Sequence, residues 1–206
     1  MFFEINPYNI DMRLINETVS SLKKGNLIIF PTDSVYAIGC DLHNKKALNM
    51  LAKFKGEKLS KVNFSIICKD LSELSEYTKQ LNRSTFKMIN YHLPGPFTFI
   101  LKANQVVPKL FDSNKKEVGV RITQNTITQS IVEALGNPLA CSSLHNEDEP
   151  ILDYFTDPYK IFEKYENEVT TIIDGGQGHI DPSTIVNCID EYNPVLIRQG
   201  AGILES

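Results

Sequence analysis

Short apolar runs alternate with amphipathic segments along most of the chain, and this alternation limits its possible folds more than any other feature. LIIF at 27–30 and TTIID at 170–174 are typical of buried strands, whereas the spacing of Leu14 and Leu22 is typical of one helical face. About seven strands and five helices are predicted in this way. Alternating helices cover the faces of a mixed sheet. The sequence therefore predicts an α/β fold, a twisted mixed β-sheet with flanking helices, with residues 1–206 as a single domain.

Composition and charge exclude several classes of protein. Of the 206 residues, 42% are hydrophobic, which is enough to bury a core without disulfide bonds or a structural metal. No apolar run approaches the roughly 18 residues of a membrane span, and MFFEINPYNID at the N-terminus lacks the basic flank of a signal peptide. The net charge of −4 counts against a protein that coats nucleic acid, although it is compatible with a local basic cleft. We expect a soluble, cytoplasmic protein without a membrane partner.

The cysteines and histidines do not have the spacing of a metal site. The four cysteines form no CxxC pair and lie in or beside apolar runs, at Cys40, Cys68, Cys141 and Cys188. This pattern favours buried, reduced thiols over a redox or metal role, and it indicates a reducing compartment. The four histidines include no HExxH pattern. We therefore expect no metal ion to be bound by protein ligands alone.

Polar side chains occur where several of the predicted strands end. LIIF runs into Pro-Thr-Asp-Ser, PLAC runs into Ser142 and Ser143, PVLIR ends on Arg198, and VGVRI contains Arg121. Ligands of open α/β sheets bind where strand ends separate, so these groups could share one cleft. Hydroxyls suit a carboxylate or hydroxyl ligand, and guanidinium groups suit phosphate. The alternative is that the hydroxyls cap helices and the arginines pair with surface carboxylates.

Three other segments give weaker signals. GGQGHID at 175–181 is glycine-rich but lacks the GxxxxGK[ST] pattern of a phosphate-binding loop. Ser142 and Ser143 lack the GxSxG elbow of a serine hydrolase. Residues 143–157 form the longest weakly structured segment, which is interpreted as a flap.

Six separate motifs resemble those of YrdC-like proteins, the threonylcarbamoyl-adenylate synthase family. In chain order they are FPTDSVYAIGCD, LPGPFT, VGVRIT, PLACSSLH, DPSTIV and LIRQGAG. The segment NFSIICKDLSELSEY, with PTDSVYA, is most similar to the YciO-like branch. The resemblance extends over nearly the whole chain and implies a twisted α/β sheet with one concave, positively lined face. It also implies an enzyme, a nucleotidyltransferase that condenses ATP, L-threonine and bicarbonate into threonylcarbamoyl-adenylate and pyrophosphate, for the modification of an adenosine beside the anticodon of certain tRNAs.

The resemblance also implies roles for individual residues. The threonine would be bound by Thr32, Arg121 and Ser183, with Arg121 on its carboxylate. The nucleotide would be bound by Lys55, Cys141, Ser143 and Arg198, and Lys55 and Ser143 would be the catalytic residues. ATP would arrive with Mg²⁺ held mainly by the nucleotide phosphates, and the positioned cations would stabilise charge on the transferring phosphate.

Two positions differ from the family pattern. Lys55-Gly56-Glu57 has an acid where the family has Lys-x-Arg, and Ser143-Leu144-His145 has a histidine where the family has Ser-x-Asn. A lost charged hydrogen bond costs roughly 1.5–3 kcal/mol. These changes favour an alternative function, in which a non-condensing paralogue binds a nucleotide, or tRNA or other double-stranded or structured RNA, in the same cleft. The condensing enzyme needs a covered cleft because the carbamate of threonine is unstable in water, and a flap at 143–157 would supply the cover.

Overall fold

Ten strands form one mixed sheet in the computed structural model, which describes residues 1–145 and 154–205. The strands are β1 (Phe2–Glu4), β2 (Ile28–Phe30), β3 (Ala37–Asp41), β4 (Ser65–Ile67), β5 (Phe97–Lys102), β6 (Glu117–Arg121), β7 (Leu139–Ser143), β8 (Thr171–Asp174), β9 (Thr184–Asn187) and β10 (Val195–Arg198). Their order across the sheet is β1-β8-β2-β3-β7-β4-β6-β5-β9-β10. Parallel pairs (β1–β8, β2–β8, β4–β6 and β5–β9) occur beside antiparallel ones, as the prediction of a mixed sheet requires.

Seven helices connect the strands in the same part of the chain. They are α1 (Met12–Lys23), α2 (Lys45–Phe54), α3 (Leu71–Ser75), α4 (Arg83–His92), α5 (Val106–Leu110), α6 (Thr126–Leu135) and α7 (Pro158–Tyr165). None of the helices within residues 1–145 and 154–205 is long and apolar enough to cross a membrane.

The two faces of the sheet are covered unequally. Helices α2, α3, α4, α5 and α7 contribute to the larger hydrophobic cluster on one face. Helices α1 and α6 contribute to the smaller cluster on the other face, which receives side chains from β2, β3, β4, β7 and β8 but none from β5, β6, β9 or β10. The second face of those four strands therefore lacks a hydrophobic cover, and this is where a cleft can form.

The α/β fold predicted from the alternation of apolar runs and helical segments is confirmed. Two predicted helix caps are confirmed as well, since Asn44 accepts a hydrogen bond from the amide of Ala47 at 3.1 Å and Asp70 accepts one from the amide of Glu73 at 2.8 Å. Gly136 ends α6 in the left-handed conformation, with φ of 75°.

The predicted number of elements, about seven strands and five helices, was too low. Strand β1 has three residues, which is too short for a periodic signal, and β3 contains a glycine and an aspartate, which are depleted in strands. Helix α5 has five residues and contains Pro108, which is poorly tolerated within a helix. Each of these elements depends on tertiary pairing or packing that the local sequence does not reveal.

The four cysteines are free and buried, which confirms the expectation of buried thiols. Burial raises the pKa of Cys141 and of Cys188 to about 11, so both thiols stay protonated at neutral pH. Across the two described ranges, no three His, Cys, Asp or Glu side chains are grouped closely enough to hold a metal ion.

The central strand β4 provides a test of the core. Ile66 is fully buried in the larger cluster, so Ile66→Ala should lower the free energy of unfolding by about 2–5 kcal/mol through lost burial and the cavity left behind. The same substitution at Ile203, which is 77% exposed, should change it by less than about 0.5 kcal/mol. Urea unfolding of both variants measures the difference, and equal losses would contradict the assignment of β4 to the core.

Candidate active site

Strand register brings Ser183 and Arg198 to the uncovered face together with Thr98. Thr98 of β5 pairs with Ile185 of β9, and Ile185 pairs with Arg198 of β10. Ser183 precedes Ile185 by two residues, so its side chain points to the same face. The Oγ1 of Thr98 and the Oγ of Ser183 lie 2.8 Å apart in a hydrogen bond. Three strands thus contribute polar groups to one patch of the face.

Arg121 lies on the same face as Arg198. Gly119 of β6 pairs with Ile100 of β5, and Ile100 follows Thr98 by two residues. Arg121 follows Gly119 by two residues, so all of these side chains share one face of the pleated sheet. The two arginines therefore share one face of the sheet, as the expected common cleft requires, with strands β5 and β9 between them.

The Arg121 guanidinium is buried and held in a fixed position. Its residue is 4% exposed, and its Nη2 donates to Asp33 Oδ1 at 2.9 Å and to Ser34 Oγ at 2.9 Å. The second carboxylate oxygen of Asp33 accepts from the amide of Gln124 at 2.8 Å. The Nε of Arg121 is buried and has no hydrogen-bond partner among the residues described. Arg121 is thus a rigid cation with an unused donor, which is an uncommon and costly arrangement.

Thr32 organises the loop that holds Arg121. Its Oγ1 donates to the carbonyl of Val35 at 2.8 Å, accepts from the amide of Ser34 at 3.0 Å, and lies 3.0 Å from Ser34 Oγ. The sequence predicts that the Thr32 hydroxyl binds substrate. In the structure this hydroxyl holds Ser34 in the position where Ser34 accepts from Arg121. Sequence reasoning missed Asp33 and Ser34 as contacts of Arg121, although both lie within the PTDS motif that it singled out.

Arg198 lies against Ser183. Its Nη2 and Nε donate to the Ser183 carbonyl at 2.8 and 3.2 Å. The turn that follows requires glycine, because a Cβ at Gly200 would overlap the carbonyl oxygen of Pro182. The amide of Gly200 donates to Thr184 Oγ1 at 2.9 Å. Motifs DPSTIV and LIRQGAG thus form one unit that positions a half-buried arginine.

Cys141 and Ser143 lie on β7, on the same face. Ser65 of β4 pairs with both Cys141 and Gly119, so these three share a face with Arg121. The positive charge of Arg121 opposes the rise in pKa that burial causes at Cys141. Ser143 is half-buried and lies further along β7, roughly 13 Å along the strand from the residue level with Arg121, at about 3.3 Å per residue.

Lys55 and Glu57 lie in the segment that follows α2, and His145 follows β7. Lys55 follows α2, which packs on the opposite face of the sheet, and Glu57 is exposed in the next turn. No described hydrogen bond or ion pair joins either residue to Arg121 or Arg198. His145 is exposed, and its ring lies 4.7 Å from that of Tyr154. Most of the expected flap, residues 146–153, lies outside the described residues.

The glycine pair of GGQGHID has a structural partner. The Tyr36 hydroxyl donates to the carbonyl of Gly176 at 2.7 Å and accepts from the amide of Gly175 at 3.2 Å. Burial raises the pKa of Tyr36 well above its usual value, so the hydroxyl remains a donor. The weak phosphate-loop signal is thus explained by a turn that is fixed to β3.

A cavity of about 230 Å³ is lined on one side by residues of the uncovered face and on the other by residues of the larger hydrophobic cluster, and neither arginine lines it. Its floor is formed by sheet residues, and its rim by residues of the segments that precede β4 and β6, including Ser65, Thr98, Gly119, Ile185, Asn63 and Lys115. Thr98 and Ile185 connect it directly to Ser183 and Arg198 through the contacts given above. The face thus combines fixed guanidinium groups, paired hydroxyls and a partly enclosed space, which together suit a substrate that carries a carboxylate or phosphate.

Comparisons with known proteins identify the family and the fold. A family model named for Sua5, YciO and YrdC, and described as "Telomere recombination", matches residues 20–200. The uncharacterized protein YciO of Escherichia coli is 37% identical over 202 residues, covering 98% of this chain and 96% of its own. Its crystal structure superimposes with a TM-score of 0.88, at 36% identity, and covers 100% of this chain and 98% of the other.

A more distant relative has a named activity. The threonylcarbamoyl-AMP synthase of Pyrococcus abyssi is 26% identical over 184 residues, which are 89% of this chain and 53% of that protein. The structure of P. abyssi Sua5 complexed with L-threonine has a TM-score of 0.85 at 24% identity, covers 97% of this chain and 57% of the other, and shows a shared fold.

The buried ion pair of Arg121 and Asp33 can be tested by a double-mutant cycle. Asp33→Ala should lower the free energy of unfolding by about 3–5 kcal/mol, because it leaves a buried guanidinium unpaired. Asp33→Ala with Arg121→Ala should cost less than the sum of the single changes, by about 0.5–3 kcal/mol. The control is the exposed pair Arg13–Glu17, 3.0 Å apart, for which coupling of about 0.3–0.5 kcal/mol is expected. Urea unfolding measures both cycles, and equal coupling in the two pairs would contradict the burial of Arg121.

Proposed function

Because the chain belongs to the Sua5/YciO/YrdC family, we propose that it condenses ATP, L-threonine and bicarbonate into threonylcarbamoyl-adenylate and pyrophosphate. The product would serve the threonylcarbamoyl modification of tRNA. One observation carries the proposal: the Arg121 guanidinium is buried, held by Asp33 and Ser34, and retains an Nε donor without a partner in the described parts of the chain. Relatives named threonylcarbamoyl-AMP synthase, from Pyrococcus abyssi and Coxiella burnetii, support it.

An amino-acid carboxylate suits the unused side of Arg121. Hydrogen bonds from a charged guanidinium to a carboxylate are strong, and a guanidinium that is already fixed loses little entropy on binding. The hydroxyls of Thr98 and Ser183, on the same face, offer hydrogen bonds to the amine or hydroxyl of threonine. Under this proposal Thr32 acts through Ser34 and Arg121 by positioning them.

The proposed reaction has two steps, and the cations of the site would stabilise the charge on the phosphates. The threonine amine attacks the carbon of bicarbonate with loss of water, and an oxygen of the resulting carbamate attacks the α-phosphorus of ATP. A P–O bond forms at that phosphorus as the bond to the β-phosphate breaks, and pyrophosphate leaves; Mg²⁺ that arrives with ATP would neutralise the charge of the departing phosphates. Arg198 on the cleft face and Lys55 beyond it would stabilise charge on the phosphates. Cys141, a protonated thiol, would contact the nucleotide without reacting, and Ser143 would position it.

A second candidate function is favoured by Glu57 and His145. They replace an arginine and an asparagine of the family pattern, and an exposed acid near a triphosphate repels it. A protein of this kind would bind a nucleotide, tRNA or another structured RNA without condensation.

A pyrophosphate-release assay separates the two candidates. With ATP, bicarbonate and L-threonine together, pyrophosphate release should exceed that of any reaction lacking one of the three, and each other amino acid is tested in turn. ATP binding by calorimetry without release in the presence of any amino acid would reject condensation and leave the second candidate.

Arg198 is expected to bind the nucleotide. Arg198→Ala should weaken ATP binding by about 1.5–3 kcal/mol, the range for a hydrogen bond to a charged group. The control Arg13→Ala removes an arginine whose side chain is 70% exposed and should leave ATP affinity unchanged. Calorimetry on both variants gives the comparison, and an unaltered dissociation constant in Arg198→Ala would remove this residue from the site.

A further inference from the structure

Lys115 lies on the rim of the cavity that Thr98 and Ile185, the neighbours of Ser183 and Arg198, help to line. It belongs to the loop between α5 and β6, and its Nζ donates to Asn63 Oδ1 at 2.7 Å and to the carbonyl of Val62. An ammonium group has three N–H donors, and these two contacts use two of them. Lys115 thus brings a positive charge to the rim of the cavity. One of its three N–H groups is left without an acceptor among the described residues.

The charge of Lys115 is coupled to that of Glu57. Burial lowers the pKa of Lys115, and the negative charge of Glu57 acts against that shift. Glu57 therefore lies close enough to act on this ammonium electrostatically. Lys115 contacts Val62 and Asn63, which belong to the same segment between α2 and β4 as Glu57, so the two charges lie in neighbouring loops.

The cavity has the chemistry of a phosphate subsite. Ser65 and Thr98 line its floor with hydroxyls, and apolar side chains such as Val107 and Phe111 keep bulk water away from one side. Charges interact more strongly beside such apolar walls than in water. Glu117 also lines the cavity, and its negative charge disfavours a bare anion. A phosphate group that carries Mg²⁺ suits this pattern better.

We propose that Lys115 binds a phosphate group of the ligand in this cavity and supplies the positive charge that Glu57 removes from the family's arginine position. The inference rests on the proposed function in one respect, that the ligand carries a di- or triphosphate. It adds a ligand-binding residue outside the motifs that identify the family, in a loop that the sequence pattern left without a role.

If the role of Lys115 is purely structural, removing its charge should leave ligand binding unchanged. In that case Lys115 fastens the segment before β4 to the segment before β6, through Asn63 and Val62, and its charge does not matter for ligands. Lys115→Gln separates the two roles, because glutamine retains N–H donors for these acceptors but carries no charge. Lys116, the next residue, is exposed and does not line this cavity, so Lys116→Gln is a matched control for the loss of one lysine charge.

The experiment measures dissociation constants for pyrophosphate and for ATP, each with Mg²⁺, by calorimetry on the wild type and both variants. Lys115→Gln should weaken pyrophosphate binding about tenfold or more, whereas Lys116→Gln should change it by less than about twofold. Lys115→Arg should retain most of the affinity. Urea unfolding of each variant verifies that the protein measured is folded, and should Lys115→Gln not fold, loss of pyrophosphate binding in a folded Lys115→Met has the same meaning.

The outcomes separate this inference from the proposed function. Wild-type affinity for pyrophosphate in Lys115→Gln overturns the role of Lys115, even where threonine-dependent pyrophosphate release is observed. Lys115-dependent pyrophosphate binding without release from ATP in the presence of any amino acid supports Lys115 and rejects condensation. A wild type that binds neither pyrophosphate nor ATP rejects both.

Discussion

The ion pair between Arg121 and Asp33 is the interaction on which the candidate site depends. The two side chains, 2.9 Å apart, are 5% and 8% exposed, and they join the loop after β2 to the end of β6 across the uncovered face of the sheet. Burying two charges costs several kcal/mol of desolvation, which their attraction offsets only when hydrogen bonds complete the arrangement. Here Ser34 and the amide of Gln124 complete it. A hydrophobic pair would hold these segments at lower cost, so packing alone does not account for the charges at this position.

The sequence predicted the parts of the fold that depend on local chemistry. Helix caps at Asn44 and Asp70 and the glycine that ends α6 follow from residue types with strong local preferences. Strand-end polarity predicted a common cleft for Arg121 and Arg198, and the register of β6, β5, β9 and β10 places both on one face of the sheet. The strands β1 and β3 escaped prediction because pairing with distant strands, β8 and β7, stabilises them.

The contacts within the site were harder to predict for a physical reason. The hydroxyl of Thr32 can hydrogen-bond either to a substrate or within its own loop. Only the folded loop shows that it donates to Val35 and accepts from Ser34. Glu57 and Lys115 lie in the loops that precede the parallel neighbours β4 and β6, and a Coulomb interaction between two such loops has no periodicity or motif in the sequence. Sequence reasoning identified Glu57 as a residue that replaces the family's arginine. The structure adds that the negative charge of Glu57 acts on the ammonium group of Lys115.

The strand β6 relates the two ends of the cleft. Arg121 is its last residue, and Lys115 precedes its first, which at roughly 3.3 Å per residue separates their backbones by on the order of 20 Å. A free amino acid is too short to reach both cations, whereas an extended substrate with a carboxylate at one end and phosphates at the other is not. YciO of Escherichia coli shares this fold over nearly its whole length, whereas the chain matches about half of the P. abyssi synthase. A unit charge at about 4 Å, with an effective dielectric near 20, contributes roughly 4 kcal/mol before desolvation. A change as small as arginine to glutamate at position 57 is therefore large enough to alter which ligand is bound, unless a nearby cation such as Lys115 compensates for it.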